Sequence, residues 1–270
     1  MSFQIGIIGL PNVGKSTLFK MLTKKPVNIA DYPFTTIQPN IGIVAVPDKR
    51  LEKIAEIIKP EKITPTTIEF VDIAGLVKNA HQGEGLGNQF LAQVRNCDGL
   101  IQVVKCFGKE KNPEEEIEII KNELEMKDLN SKEKENLLSK KPIIYLFNTD
   151  NNNNFYLNNT NKLCLNLEKE NEDIDQLILN CYNILDLITF YTIAGEKEAR
   201  ALTIKKGTKC SEAGEKVHSD FKEKFIKAQV ISWEKLVIAG SWKNAQQLGL
   251  IKTAGKDYLV QDGDVIEFKI

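Results

Sequence analysis

Apolar residues in the first half of the chain come in short dense runs, separated by amphipathic stretches and turn residues. Residues 3–9 read as a strand, and 15–23 open a helix. Residues 41–46 predict a strand and 50–58 a helix ended by Pro60. A strand at 67–71, a helix at 87–96 and a strand at 100–104 follow. This alternation predicts an α/β layer with a mostly parallel sheet.

Residues 112–141 predict a charged helical segment, with Ile117, Ile120, Leu124 and Leu129 at helical spacing among Glu and Lys. Pro142 precedes a strand at 143–147, and an Asn-rich stretch at 148–161 reads as a loop. The longest apolar stretch, 174–194, is broken by Asp175, Asn180, Asn183 and Asp186. It reads as a helix followed by a strand, not as a membrane span. From 187 the style changes: 201–205, 225–230, 258–260 and 265–270 predict short strands, 218–227 includes a helix, and Lys256, Asp262 and Gly263 mark turns. The expected division is an α/β domain over 1–186 and a small α+β unit over 187–270.

With 270 residues, 27% charged and 42% hydrophobic, the chain is not mainly disordered and has ample material for a core. Lys plus Arg number 36 and Asp plus Glu 37, so the overall balance points to no nucleic acid (DNA included), membrane or acidic partner. Residues 187–270 carry 14 Lys/Arg against 11 Asp/Glu, too mild an excess to mark a nucleic-acid surface. The five cysteines are scattered without a CxxC, which argues against zinc or disulfides and for a reducing cytoplasm. The start, MSFQIGIIGL, lacks the basic lead of a signal peptide.

The most specific chemistry lies at Gly9-Leu-Pro-Asn12-Val13-Gly14-Lys15-Ser16-Thr17, which matches GxxxxGK[ST] between a predicted strand and a predicted helix. Gly9 and Gly14 permit backbone angles that turn successive N–H groups inward around phosphate oxygens. The helix N-terminus adds positive potential. Lys15 would neutralise the β/γ-phosphates, and the Ser16 hydroxyl would bind Mg²⁺. Further on, 68–75 is an apolar strand ending in Asp72 and then DxxG. Asp72 is placed to hold Mg²⁺, and the N–H of Gly75 to contact the γ-phosphate. Thr35 and Thr36 lie on a Pro-punctuated loop suited to closing on Mg²⁺ when a triphosphate is bound, with Thr36 favoured.

Base recognition departs from guanine. GTPases with this layout carry Asn-Lys-x-Asp after the next strand, whereas this chain has Asn148-Thr149-Asp150-Asn151. An amide at Asn151 cannot offer two acceptors in the carboxylate's geometry, so adenine or weak base selectivity is expected. Leu76 follows DxxG where many GTPases have the Gln that orients water, so hydrolysis should be slow or use another group. His81, in a Gly-rich stretch, could approach the γ-phosphate if that loop folds over it; the alternative is an exposed His in a flexible loop.

These motifs, with DYPFTTIQPN, EFVDIAGLVKNA, GEGLGNQFL, FYTIAGEKEARALTIKKGT, EKVHSDFKEKFIKAQV and GKDYLVQDGDVIEF, resemble the YchF subfamily of Obg-like ATPases over about three-quarters of the chain. The resemblance implies a TRAFAC-type P-loop domain preferring ATP, slow hydrolysis with Mg²⁺, and ribosome binding. It also implies a C-terminal TGS domain, a ubiquitin-like β-grasp associated with rRNA or tRNA. The family inserts a long helical coiled coil between the strands at 100 and 143; residues 107–141 leave only a remnant of it. A His suspected of catalysis in relatives is missing after Phe107, Asn151 stands where the family has Glu, and 162–166 occupies the place of the second base-contacting loop.

Overall fold

The computed structural model describes residues 3–24, 40–73, 86–108, 112–129, 137–150, 155–156, 161–169, 174–195 and 197–270. In chain order the elements are β1 (Gln4–Ile8), α1 (Lys15–Leu22), β2 (Ile41–Ala45), α2 (Lys49–Ile58), β3 (Lys62–Thr64), β4 (Thr67–Asp72), α3 (Leu86–Asn96), β5 (Gly99–Cys106) and α4 (Pro113–Leu129). After a short 3₁₀ turn, Leu138–Lys140, come β6 (Ile143–Thr149), β7 (Phe155–Tyr156), β8 (Lys162–Leu165) and α5 (Ile174–Ile184). The last third holds β9 (Leu187–Ile193), β10 (Glu198–Lys205), α6 (Cys210–Glu215), α7 (Ser219–Glu223), β11 (Lys227–Ser232), α8 (Trp233–Ala239), α9 (Trp242–Gln247), β12 (Lys252–Ala254) and β13 (Asp264–Lys269).

The chain divides into two compact units, 1–44 with 68–185, and 45–67 with 186–270. The first is built on a seven-stranded sheet in the order β2-β4-β1-β5-β6-β8-β7. β1 runs parallel to β4 and β5, and β6 parallel to β5 and β8. Parallel strands need crossovers: α4 links the neighbours β5 and β6, and α3 carries the chain from β4 past β1 to β5. Their side chains Leu91, Val94, Ile120 and Leu124 form one cluster with Ile8, Val71, Ile73 and Leu100 of the sheet side. α4 starts where Pro113 can spare its missing N–H, with Glu114, Glu115 and Glu116 in the first turn and Lys127 in the last, matching the helix dipole. Asp128 accepts from Leu138 N (2.9 Å) and Ser139 N (2.8 Å), fixing the 3₁₀ turn ahead of β6. The charged segment therefore includes a crossover helix.

The second unit holds a six-stranded mixed sheet, β12-β11-β13-β9-β10-β3. Its centre pairs β13 parallel to β9, flanked by antiparallel β10 on one side and antiparallel β11 and β12 on the other. Within 187–270 the first and last strands, β9 and β13, lie side by side in the middle of the sheet, and α6 follows the β9–β10 hairpin. Both faces are covered. Ile188, Phe190, Leu202 and Ile266 pack with Cys210 and Ala213 of α6. On the other face Tyr191, Ala201 and Val265 pack with Leu51 and Ile54 of α2 and with α8 and α9. Alternate residues of each strand thus meet different helices.

Residues 45–67 depart from the expected 1–186 domain by packing with the C-terminal sheet. Asp48 caps α2 by accepting from Arg50 N (3.0 Å), and Leu51, Ile54, Ala55 and Ile58 recur at helical spacing. An apolar stripe shows that a helix is covered, not which sheet covers it. β3 extends the C-terminal sheet through parallel pairing with β10. The strand expected at 258–260 is replaced by a single bridge, Lys209 to Leu259. There the backbone braces α6 instead, through Cys210 N to Tyr258 O (2.8 Å) and Val260 N to Thr208 O (3.1 Å).

Candidate functional site

The glycine-rich turn leaves β1 at Gly9 and enters α1 at Lys15. Gly9 has φ 155°, and a Cβ there would sit 2.6 Å from the Val103 carbonyl oxygen of β5. Gly14 has φ 106°, and its Cβ would meet Asn148 Nδ2 at 2.7 Å. Neither position admits a side chain without displacing its neighbours. Asn12 also lies in the left-handed region, φ 62°, which Asn tolerates best among the residues that carry a side chain.

The Lys15 ammonium donates to Gly9 O (3.1 Å) and Leu10 O (2.9 Å), folding the side chain back along its own loop. An ammonium has three donors, so these two bonds leave one for a phosphate oxygen. Burial lowers the Lys15 pKa, and the nearby Asp72 carboxylate opposes that shift. A partly desolvated cation of this kind gains most from an anion that completes its coordination.

Asp72, at the end of β4, lies beside α1: Ser16 Oγ donates to Asp72 Oδ2 at 3.1 Å. A hydroxyl and a carboxylate in contact are hard oxygen donors, and this pair fits Mg²⁺. Parallel pairing of β1 and β4, with Ile7 opposite Asp72, places the carboxylate at the same sheet end as the glycine-rich turn. Asn12, Ser16 and Thr17 are exposed, whereas Val13 is buried.

Asn148, on β6, is buried and spends its amide on bracing. Its Nδ2 donates to Val13 O (3.0 Å), and its Oδ1 accepts from Leu167 N (3.2 Å). One side chain thereby joins the glycine-rich turn to the loop after β8. That loop is itself closed by an Asx-type bond, Glu168 N to Asn166 Oδ1 (2.9 Å). Leu167 was not singled out by sequence reasoning; the Asn166 turn was the available signal. Residues 162–165 form strand β8, so of the stretch 162–166 expected as a second base-contacting loop only Asn166 lies beyond a strand. Leu163 and Leu165 are buried there, which holds the segment in the sheet. Asp150 accepts from Gly108 N at 3.4 Å. Thr36, Gly75, Leu76, His81 and Asn151 lie outside the described residues.

Residues 4–149 match the 50S ribosome-binding GTPase family. Residues 187–270 match the YchF-GTPase C-terminal family, described as a protein of unknown function. The chain is 35% identical to the ribosome-binding ATPase YchF of Escherichia coli O157:H7, covering 99% of each chain. It is 37% identical to the protein of that name from Mycoplasma genitalium, covering 98% of each. The first alignment runs over 360 positions although this chain has 270 residues, so the relative carries residues without a counterpart here. The structure of the Schizosaccharomyces pombe YchF GTPase superposes with a TM-score of 0.83 at 28% identity, covering 99% of this chain and 98% of that one. A glycine-rich turn with its lysine seated, a serine–aspartate pair beside it, and similarity along the whole length agree: the chain belongs to the YchF family.

Proposed function

We propose that this protein binds ATP with Mg²⁺ at the glycine-rich turn, hydrolyses it slowly, and works as a nucleotide-gated switch on the ribosome. The observation that carries the reading is the seated Lys15 beside the Ser16–Asp72 pair, a phosphate cradle and a hard-cation site in contact. Gly9, Asn12, Val13, Gly14 and Thr17 shape the cradle; Asn148 braces it, and Asn151 lies on the base side. Thr36 would complete the Mg²⁺ site when triphosphate is bound, and Gly75 would sense the γ-phosphate. Mg²⁺ would neutralise charge on the phosphates; the protein's part is to bind, orient and exclude water. Ribosome binding is supported by the names of the relatives. We assign the β-grasp strands of 187–270 as a TGS domain that contacts rRNA or tRNA, and the cytoplasm as the site of action.

Preference for adenine rests on Asn151 in place of the guanine-reading Asp. Leu76 favours a second reading, a nucleotide-gated binding module with negligible turnover, unless His81 or a ribosomal group positions the water. Single-turnover phosphate release, with and without ribosomes, separates the two. Release stimulated by ribosomes supports the switch; none under either condition leaves only the binding module. Calorimetry with ATP and GTP tests the base, and GTP binding as tight as ATP overturns the adenine reading. Lys15→Ala should lose nucleotide binding or hydrolysis; a variant that hydrolyses ATP normally would refute the site.

A further inference from the structure

The chain passes between its two units at three places: 44/45, 67/68 and 185/186. The first two bracket residues 45–67, and the strands on either side, β2 and β4, are neighbours in one sheet. Asp72 N donates to Asn40 O (2.9 Å) and Val46 N to Thr66 O (2.9 Å), the register of an antiparallel ladder. One end of this ladder is Asp72, bonded to Ser16. The other end runs into residues 45–67, which are fastened to the C-terminal sheet.

The fastening is chemically specific. Arg50 reaches Asp48 through Nε (2.9 Å) and a terminal nitrogen (3.0 Å), and Asp262 through the other terminal nitrogen (2.7 Å). Tyr191 of β9 donates its hydroxyl to Asp48 Oδ2 (2.5 Å), and the guanidinium lies 5.6 Å from the Tyr191 ring centroid. Asp262 also accepts from Thr189 N (2.9 Å). A planar guanidinium held by two carboxylates and an aromatic face fixes direction as well as distance.

We infer that the β2–β4 ladder carries nucleotide state from the Ser16–Asp72 pair to the C-terminal unit, with Arg50 making residues 45–67 answer to that unit. A paired ladder transmits a shift at one end because slipping by one residue would turn its buried side chains outward. Mg²⁺ with triphosphate would be held by Ser16 and Asp72 in place of their mutual bond, which would give the nucleotide a differential interaction at that end. This inference rests on the nucleotide reading given above.

The test is hydrogen exchange on the full-length protein, with and without Mg²⁺ and a non-hydrolysable ATP analogue, with occupancy measured by calorimetry. Bound nucleotide should change exchange in β4, in α2 and in β9 by about tenfold. In Arg50→Ala, at matched occupancy, the change should persist in β4 and disappear from β9. Arg50→Lys and Asp262→Asn, milder variants, should give intermediate loss, and they keep the test open if the alanine variant does not fold. Nucleotide bound without any change in 45–67 or 186–270 would overturn the coupling and leave the nucleotide site standing. The same response in wild type and in all three variants would overturn the role of Arg50. Absence of nucleotide binding would remove both.

Discussion

Asn148 holds together two segments far apart in the chain, 135 residues one way and 19 the other. Asn148→Ala strands the Val13 carbonyl and the Leu167 N–H in a buried place, a cost of about 1–3 kcal/mol. A lowered urea midpoint together with weaker nucleotide binding is the expected result, read by denaturation and calorimetry. Gly14→Ala should be at least as damaging, because a Cβ there meets the same amide at 2.7 Å and φ is 106°. That Lys15, Ser16 and Asp72 come together was legible from the motif spacing; their phosphate and magnesium roles belong to the proposed function. The brace at Asn148 was not, since an Asn there reads as a base contact, and only three-dimensional proximity to Val13 and Leu167 reveals the bracing bonds.

At the scale of elements, β1, α1, β2, β4, α3, β5, β6 and α5 were legible to within a few residues because each is a run with one dominant period. By contrast, β7 and β8 fall in stretches read as loops, and the helical segment expected over 112–141 is α4, which ends at Leu129. Of the C-terminal helices only α7, inside the expected 218–227, was legible. In α8 the buried side chains are Leu236 and Ala239, while Ile238 is 82% exposed, so hydrophobicity and burial part company. α9 buries Ala245 and leaves no stripe to read. The start of α2 has its own pH signature. Burial raises the Asp48 pKa, but bonds from Arg50 and Tyr191 outweigh it and hold the carboxyl below its ordinary value of 3.8. A folded pKa below the unfolded one contributes stability that is complete above the unfolded value and is lost as pH falls through the folded one. Stability followed by urea unfolding from pH 6 to about 3 should therefore drop on the acid side, and Asp48→Asn should flatten that limb while lowering stability near neutrality. An unchanged acid limb in the variant would show that Asp48 does not set it.

For the whole molecule, the division at 186 expected from the change of sequence style separates α2 from the sheet that covers it. Periodicity shows an amphipathic helix and is silent on its partner, so the assignment of 45–67 had to come from structure. A fragment ending at 186 should expose Leu51 and Ile54, which are 3% and 0% exposed in the intact chain. Such a fragment should bind a hydrophobic dye and self-associate in sedimentation. Extending it to 270 should abolish both, and a clean monomeric 1–186 would contradict the packing of α2.

The pairing of β9 with β13 has a bearing on synthesis. Residues 264–269 leave the ribosome after everything that packs beside them, so the sheet that shelters α2 stays open until then. Well over a hundred residues separate the helix from its final neighbour, a long wait for an oily stripe in a crowded cell. During that interval the stripe of α2 is the part of the nascent chain most open to premature association.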